Sequence, residues 1–197
     1  MPVKHILSSI FIIAFLTLQA NVVERYYFTS AGKASFRSEA PLELISASSD
    51  AVTGILDPVN RTFAFKIPVS SFSGFNCELQ RDHFNEKYMQ SDKYQYATFT
   101  GKLPPDYNEL KKGMQALKVF GILKIHGVQK ERTIPVNLFM ADQVLVIRSA
   151  FNILLEDHNI DVPKVLYSKI ASEVNIEVNA LMRIRFGKTD PASASIN

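Results

Sequence analysis

Residues Thr62–Val69, TFAFKIPV, alternate between apolar and other side chains. Successive side chains of an extended chain point to opposite faces, so this period of two predicts a β-strand with one apolar face. The apolar face carries Phe63, Phe65, Ile67 and Val69. The preceding segment Asp57–Asn60, DPVN, has turn chemistry, with its proline setting the bend. We therefore predict a β-hairpin between Val52–Leu56 and Thr62–Val69.

The same period recurs along the chain from Arg25 onward. In Gln115–Ile125, Leu117 and Val119 lie on the apolar face, and so does Gly121, which leaves room for a bend or for close contact with the backbone. Other predicted strands are Tyr96–Thr100, Arg132–Met140, Gln143–Leu155 and Glu173–Ile184. The sequence thus predicts an all-β fold.

Some apolar residues break the alternation. Phe120 and Ile122 occupy the polar face of their strand, and Val144–Ile147 is apolar throughout. Such outward apolar side chains indicate contact with a second copy of the protein or with helical caps. Ordinary surface hydrophobic residues are the alternative, and the sequence leaves the two open.

One segment reads as a helix, Leu79–Phe99, LQRDHFNEKYMQSDKYQYATF. Asp82 is a candidate N-cap. Phe84 and Tyr88 are four residues apart and therefore share a helix face. The helix must end before the strand that begins at Tyr96, which makes it a natural lid for a barrel. A second short helix is predicted at Pro163–Ile170, and Asp106–Gly113 is predicted to be a polar loop.

Composition limits the remaining possibilities. A chain of 197 residues with 47% hydrophobic content can bury one core, and residues 21–186 show no repeat or second core. The formal net charge is only +3, and the longest Lys/Arg run is the pair Lys111–Lys112. We therefore expect one domain and no binding to nucleic acid.

Residues 1–20 have the features of a signal peptide. Lys4 and His5 begin the chain weakly basic, Ile6–Leu18 is apolar, and Ala20 is a small residue at the cleavage position. The apolar run is shorter than the roughly 20 residues of a membrane-spanning helix, so no stable membrane anchor is expected. We predict a periplasmic or secreted protein. Residues 187–197 are small and polar and are predicted to form a mobile tail.

Cys77 is the sole cysteine, so no internal disulfide can form. It is interpreted as a small, half-buried side chain between Phe75 and Leu79. A redox thiol or an intermolecular bridge is the alternative, but no cation in the sequence indicates a lowered thiol pKa.

Catalytic patterns are weak. The spacing His83-x-x-Glu86 and the pairs Asp82-His83 and Asp157-His158 could suggest metal or acid–base chemistry, but no third ligand follows at a recognisable spacing. His126 is expected to bond the backbone at a strand end. Phosphate-binding loops and nucleophile elbows are also absent from the sequence. We predict a protein that is not an enzyme, with no catalytic residue and no metal site.

Several motifs occur together and in order, and through them the chain resembles the YceI-like family. They are SEAPLE at Ser38–Glu43, HFNEKY at His83–Tyr88, DKYxxATFxG at Asp92–Gly101, IHGV at Ile125–Val128 and FxIxLxDxxI at Phe151–Ile160. The resemblance implies an antiparallel eight-stranded lipocalin-like barrel with short helical caps that binds polyisoprenoid or related lipids. Two positions depart from the family pattern: Gln95 replaces a proline, and His158 replaces an aromatic residue outside the expected lumen.

Alternation alone cannot distinguish a solid barrel core from a greasy tunnel, and the resemblance favours the tunnel. The ligand-binding residues predicted on this basis are Phe63, Phe65, Ile67, Phe84, Tyr88, Phe99, Val119, Leu123, Phe151, Ile153, Ile176 and Val178. Candidates for contacts to a polar headgroup are Arg81, His83, Asn85 and Tyr88.

The resulting hypothesis is an exported binding protein that transports or stores a long apolar lipid, such as a polyisoprenoid or a prenyl quinone. No cofactor other than the lipid is expected, and the protein could pair as a homodimer. The alternative is a barrel with a filled core that acts as an interaction partner of a membrane or redox protein.

Overall fold

A computed structural model describes residues 24–105, 107 and 111–187. The described part of the chain forms a closed barrel of eight antiparallel strands in sequence order, with the last strand paired to the first. The strands are β1 (Glu24–Glu39), β2 (Leu44–Asp57), β3 (Thr62–Pro68), β4 (Tyr96–Lys102), β5 (Gly113–Ile125), β6 (Val128–Ala141), β7 (Val144–Leu154) and β8 (Glu173–Gly187). The predicted fold class is confirmed.

The predicted hairpin is confirmed as β2 and β3, with Leu56 opposite Phe63. Its turn is held by the Asp57 carboxylate, which accepts hydrogen bonds from the backbone N–H groups of Val59 at 2.8 Å and Asn60 at 2.9 Å. Asp57 is buried. The carboxylate therefore replaces water as the partner of these turn N–H groups.

The helical elements are short. They comprise α1 (Glu78–His83), a π-helical turn (Phe84–Tyr88), and single 3₁₀ turns at Val69–Ser71, Glu156–His158 and Lys164–Leu166. Of the helix predicted at Pro163–Ile170, only the 3₁₀ turn at Lys164–Leu166 forms.

The predicted N-cap is wrong. Helix α1 begins after Cys77, and Asp82 lies in its last turn. The start is fixed by side-chain contacts from elsewhere, because Gln80 donates to the Glu43 carboxylate and accepts from the Asn76 N–H. The prediction for Cys77 is also wrong, since it is exposed at the extended residue before the helix.

Glycines allow two strands to approach closely. Gly101 of β4 lies directly opposite Gly121 of β5. A Cβ on Gly121 would lie 2.4 Å from the Thr100 carbonyl oxygen and 2.9 Å from the Phe99 ring. The close backbone contact predicted at Gly121 is confirmed.

The barrel interior is filled at the end that carries the β6–β7 turn. Leu145 and Met182 are fully buried there, and the Tyr27 hydroxyl donates to the Met140 sulfur at 3.8 Å. Toward the other end, which carries the helical elements, the buried residues form two smaller groups around Leu123 and Val52.

Outward apolar residues remain uncovered. Phe120 is 56% exposed and Ile122 is 41% exposed, so the helical elements do not cover them. In Val144–Ile147 the alternation holds after all, because Leu145 and Ile147 are buried while the valines are half-buried.

Three predicted segments fall wholly or partly outside the described residues. These are the signal peptide at 1–20, half of the loop at 106–113 and the tail beyond Gly187. Gly187 itself ends β8 rather than beginning the tail.

Candidate ligand-binding site

The barrel encloses a cavity of about 500 Å³. It extends from Leu103 and Leu138, beside the filled end, to Phe84, Leu166 and Ile170 beneath the helical elements. Apolar side chains form most of its wall. Pockets of this size and character are typical binding sites for small apolar molecules.

The twelve residues predicted to contact a ligand all line this cavity. Strand pairing brings them together, because residues opposite each other in the ladder point to the same face of the sheet. Phe65 lies opposite Phe99, and Phe99 lies opposite Leu123. Across the barrel, Phe151 lies opposite Ile176. Contact between these residues and a ligand stays a prediction.

Four phenylalanine rings form a lid over the cavity. Only one of them, Phe84, is among the ligand-binding residues predicted from the sequence. Phe84 stacks on Phe36 with ring centroids 5.3 Å apart and an angle of 11°. It also packs against Phe72 at 5.8 Å and Phe75 at 5.2 Å. We refer to Phe36, Phe72, Phe75 and Phe84 as the aromatic lid. Phe72 and Phe75 lie in an irregular loop, where no periodicity could have indicated their direction.

The π-helical turn joins the lid to the wall. Its hydrogen bond from the Met89 N–H to the Phe84 carbonyl, at 2.8 Å, spans five residues. Such turns are rare and occur frequently at functional sites. The turn allows both Phe84 and Tyr88 to face the cavity, and burial raises the pKa of the Tyr88 hydroxyl, which therefore stays protonated as a donor.

Polar groups gather at the mouth of the cavity. Of the four headgroup candidates, His83 and Tyr88 line the cavity, whereas Arg81 and Asn85 do not. The helix explains the difference, because residues 81 and 85 each follow a cavity-lining residue by one position and are turned about 100° from it around the helix axis. The Asn85 amide donates instead to the Arg81 carbonyl at 3.0 Å.

Sequence reasoning missed three polar residues at the mouth. Glu43, Gln80 and Lys169 line the cavity, and Gln80 donates to the Glu43 carboxylate. Lys169 is positioned by the segment after the 3₁₀ turn at Lys164–Leu166, which is held to the β1–β2 connection by a 2.8 Å hydrogen bond from the Leu42 N–H to the Ser168 carbonyl. SEAPLE contains Glu43, but its sequence alone does not indicate that the carboxylate faces a lumen.

The weak catalytic patterns do not assemble. Asp157 forms an ion pair with Lys130 at 3.7 Å, while the His158 side chain is buried. His126 bonds the His158 carbonyl at 3.1 Å, as predicted for a strand-end histidine. Over the described ranges, no group of three or more His, Cys, Asp or Glu residues could hold a metal ion. No helix in the same ranges has the length and apolar character needed to cross a membrane.

A comparison with known protein families identifies the family of the chain. Residues 29–182 match the model of the YceI-like domain. The chain belongs to the YceI-like domain family. The match includes β2 to β7 in full, parts of β1 and β8, and every residue of the aromatic lid.

Solved structures with similar folds are distant in sequence. A polyisoprenoid-binding domain from Saccharophagus degradans, implicated in plant cell wall breakdown, is 15% identical with a TM-score of 0.70, and the match covers 81% of this chain and 98% of that one. BcnA of Burkholderia cenocepacia is 20% identical with a TM-score of 0.62, covering 77% and 95%. The YceI protein of Campylobacter jejuni is 13% identical with a TM-score of 0.53, covering 96% and 92%. A comparison with curated protein sequences gave no match.

Proposed function

We propose that this YceI-like protein binds a long apolar lipid, such as a polyisoprenoid or a prenyl quinone, in the barrel lumen for transport or storage. The observation that carries the proposal is the hollow of about 500 Å³ with an apolar wall. A structural relative described as a polyisoprenoid-binding domain supports the choice of ligand class. The protein acts as a carrier and not as an enzyme.

The size and lining of the lumen suit a long apolar tail. Pockets of this size with apolar walls are typical sites for small apolar molecules. Burying about three isoprene units there contributes on the order of 10 kcal/mol, at about 0.8 kcal/mol per methylene. Ordering the ligand offsets much of this, which leaves micromolar to nanomolar affinity.

The mouth suits a polar end group. Glu43 and Gln80 supply acceptors and a donor, and Lys169 and Tyr88 supply donors. A lipid whose tail fills the lumen would place its headgroup among these side chains. Longer chains would extend past the aromatic lid into solvent or a membrane.

The proposal also includes export of the protein from the cytoplasm. Residues 1–20 act as a cleaved signal peptide and deliver the mature protein to the periplasm or the medium. Long apolar lipids dissolve poorly in such aqueous compartments, so their movement through water requires a carrier. Amino-terminal sequencing of protein purified from the native host tests this, and an intact Met1 would contradict it.

The deciding experiment is organic extraction of that purified protein, followed by mass spectrometry. A near-stoichiometric apolar lipid is expected. The matched pair Val119→Phe and Lys118→Phe adds the same ring to opposite faces of β5, since Val119 faces the lumen and Lys118 is exposed. V119F should reduce the bound lipid severalfold, and K118F should retain it. Repeated absence of lipid from the wild-type protein would contradict the function.

We also propose that the barrel pairs with a second copy. An outward row of apolar side chains crosses four strands, because Met114 lies opposite Phe139, Phe139 opposite Val146 and Val146 opposite Leu181. Met114, Phe139 and Leu181 are 78%, 46% and 48% exposed. Contiguous exposed apolar side chains of this kind mark protein interfaces. The hollow lumen supports lipid binding over the filled-core alternative.

A further inference from the structure

His158 is a fully buried histidine that the lipid-binding site does not use. Its side chain has 0% exposure, and the backbone of Ile125 and Val128 lies beside its ring. It does not line the cavity. A fully buried imidazole favours its neutral form, because the charged ring would lose its hydration.

The turn that carries His158 closes part of the lumen. Leu155 and Ile160 both line the cavity, and the Ile160 N–H donates to the Leu155 carbonyl at 3.1 Å. The His158 N–H donates to the same carbonyl at 3.1 Å. We refer to Leu155–Ile160 as the plug turn. His158 lies on the side of this turn opposite the lumen.

The β5–β6 hairpin holds the plug turn from outside. His126 at its tip bonds the His158 carbonyl through Nδ1 at 3.1 Å, and the His126 ring packs edge-on against Tyr94 at 4.6 Å. The plug turn also packs against β6 and β7. Burial of His158 is therefore one of the contacts that keep the turn between the hairpin and the lumen.

The ionisable groups around His158 have opposing effects on its pKa. Burial is the largest effect and lowers the pKa. The backbone of Val128 and Ile125 and the charge of Asp157 raise it, while Arg132 on β6 lowers it. Lys130 is engaged with Asp157 in an ion pair at 3.7 Å, and His126 is the other titratable group facing the turn. The net pKa of His158 lies below its ordinary value.

We propose that His158 makes the plug turn acid-sensitive, so that protonation releases the turn from the hairpin, opens the lumen and speeds the loss of bound lipid. This inference rests on the proposed lipid-binding function. Because the pKa is lowered in the closed state, the closed state binds fewer protons. Its stability is therefore fully present above the open-state pKa of about 6.5 and declines as the pH falls below that value.

The size of the effect follows from proton linkage. If the open turn titrates at about pH 6.5 and the closed turn remains neutral, lowering the pH from 7.5 to 5.0 multiplies the open-to-closed ratio by up to about thirty. Release through the open state accelerates by the same factor.

The experiment uses the apolar fluorophore N-phenyl-1-naphthylamine, loaded into the protein and transferred to excess phosphatidylcholine vesicles. The wild-type dissociation rate is expected to rise between fivefold and thirtyfold from pH 7.5 to 5.0. His158→Phe, which fills the site without titrating, should change less than twofold. His158→Gln serves if the first variant fails to fold.

His126→Asn separates the two histidines that face the turn. Asparagine tolerates the positive φ of 51° at this position and can still donate to the His158 carbonyl, while the second imidazole is removed. An acid response that persists in H126N and disappears in H158F assigns the response to His158. A wild-type change below twofold, or an unaltered response in the His158 variants, would overturn the proposal.

Hydrogen exchange separates this inference from the carrier function. Amides of residues 155–160, corrected for intrinsic pH dependence, should open more often at pH 5.0 in the wild-type protein than in H158F, with no ligand present. If the fluorophore does not bind at pH 7.5, the carrier function is contradicted, and the exchange data alone support or overturn the acid-sensitive turn.

Discussion

At the scale of single residues, Phe84 is the centre of the aromatic lid. Three ring contacts, each worth about 0.5–1.5 kcal/mol, hold it over the cavity. Phe84→Ala should raise the dissociation constant of an apolar fluorophore about tenfold, or about 1.4 kcal/mol, measured by fluorescence titration.

Leu79→Ala is the matched control for the lid. Leu79 lies on α1, which directly precedes the π-helical turn of Phe84; it is 61% exposed and does not line the cavity. This variant should bind the fluorophore like the wild-type protein. Equal affinity in the Phe84 variant would show that the lid does not retain the ligand.

A substitution at Gly121 tests the close approach of β4 and β5. Gly121→Ala places a Cβ 2.4 Å from the Thr100 carbonyl oxygen, which is backbone and cannot move aside. The free energy of unfolding should fall by about 3 kcal/mol, measured by denaturant titration. Gly187→Ala meets only the Tyr26 side chain at 3.7 Å and should change little. Equal stability of the two variants would refute the close-packing argument.

Residue directions could be predicted where the backbone has a period. Strand alternation allows only two directions and therefore predicts that Phe63 and Val178 point inward. Phe72 and Phe75 could not be placed, because an irregular loop has no period. Arg81 was misplaced because the face that a helix presents depends on how it docks, which the helix sequence alone does not determine.

At the scale of elements, the β2–β3 hairpin depends on a buried carboxylate. Asp57→Ala leaves the turn N–H groups of Val59 and Asn60 without their acceptor. The free energy of unfolding should fall by about 2 kcal/mol in a denaturant titration.

Two further variants serve as comparisons for Asp57→Ala. Asp57→Asn keeps an acceptor oxygen and should recover part of the loss. Asp50→Ala removes only a surface ion pair with Lys33 at 3.9 Å and should cost less than about 1 kcal/mol. Similar losses in the Asp57 and Asp50 variants would contradict the special role of the turn carboxylate.

Element boundaries were predictable to different degrees. Strands β3 to β8 can be predicted because each has its own sequence pattern and pairs with a neighbour in sequence. By contrast, β1 has no predicted bounds, and β2 is predicted only over Val52–Leu56. The start of α1 could not be predicted from the local sequence, because Glu43, from a distant part of the chain, holds Gln80 in place. The helix therefore does not begin at Asp82, although Asp82 has good capping chemistry.

At the scale of the whole molecule, the outward apolar row predicts self-association. Phe139→Lys places a charge in the middle of the row and should convert a dimer to a monomer, measured by light scattering after size exclusion. Ser46→Lys, on exposed β2 outside the row, should leave the mass unchanged. A monomeric wild-type protein would disprove the pairing.

Hollow and filled barrels share one sequence pattern. Alternation tells which side chains point inward, but the free volume depends on how far across the lumen they reach. Here Leu145 and Met182 fill one end, and the space beneath the aromatic lid stays open. The family resemblance, and not the residue pattern, supplied the expectation of a tunnel.

Closing the ring between β1 and β8 ties the beginning of the barrel to its end. As the polypeptide leaves the ribosome, the first strand keeps one unpaired edge until residues 173–187 have been made. The native ring therefore cannot be completed before β8 has been synthesised, and until then the edge of β1 that β8 covers stays open to other strands.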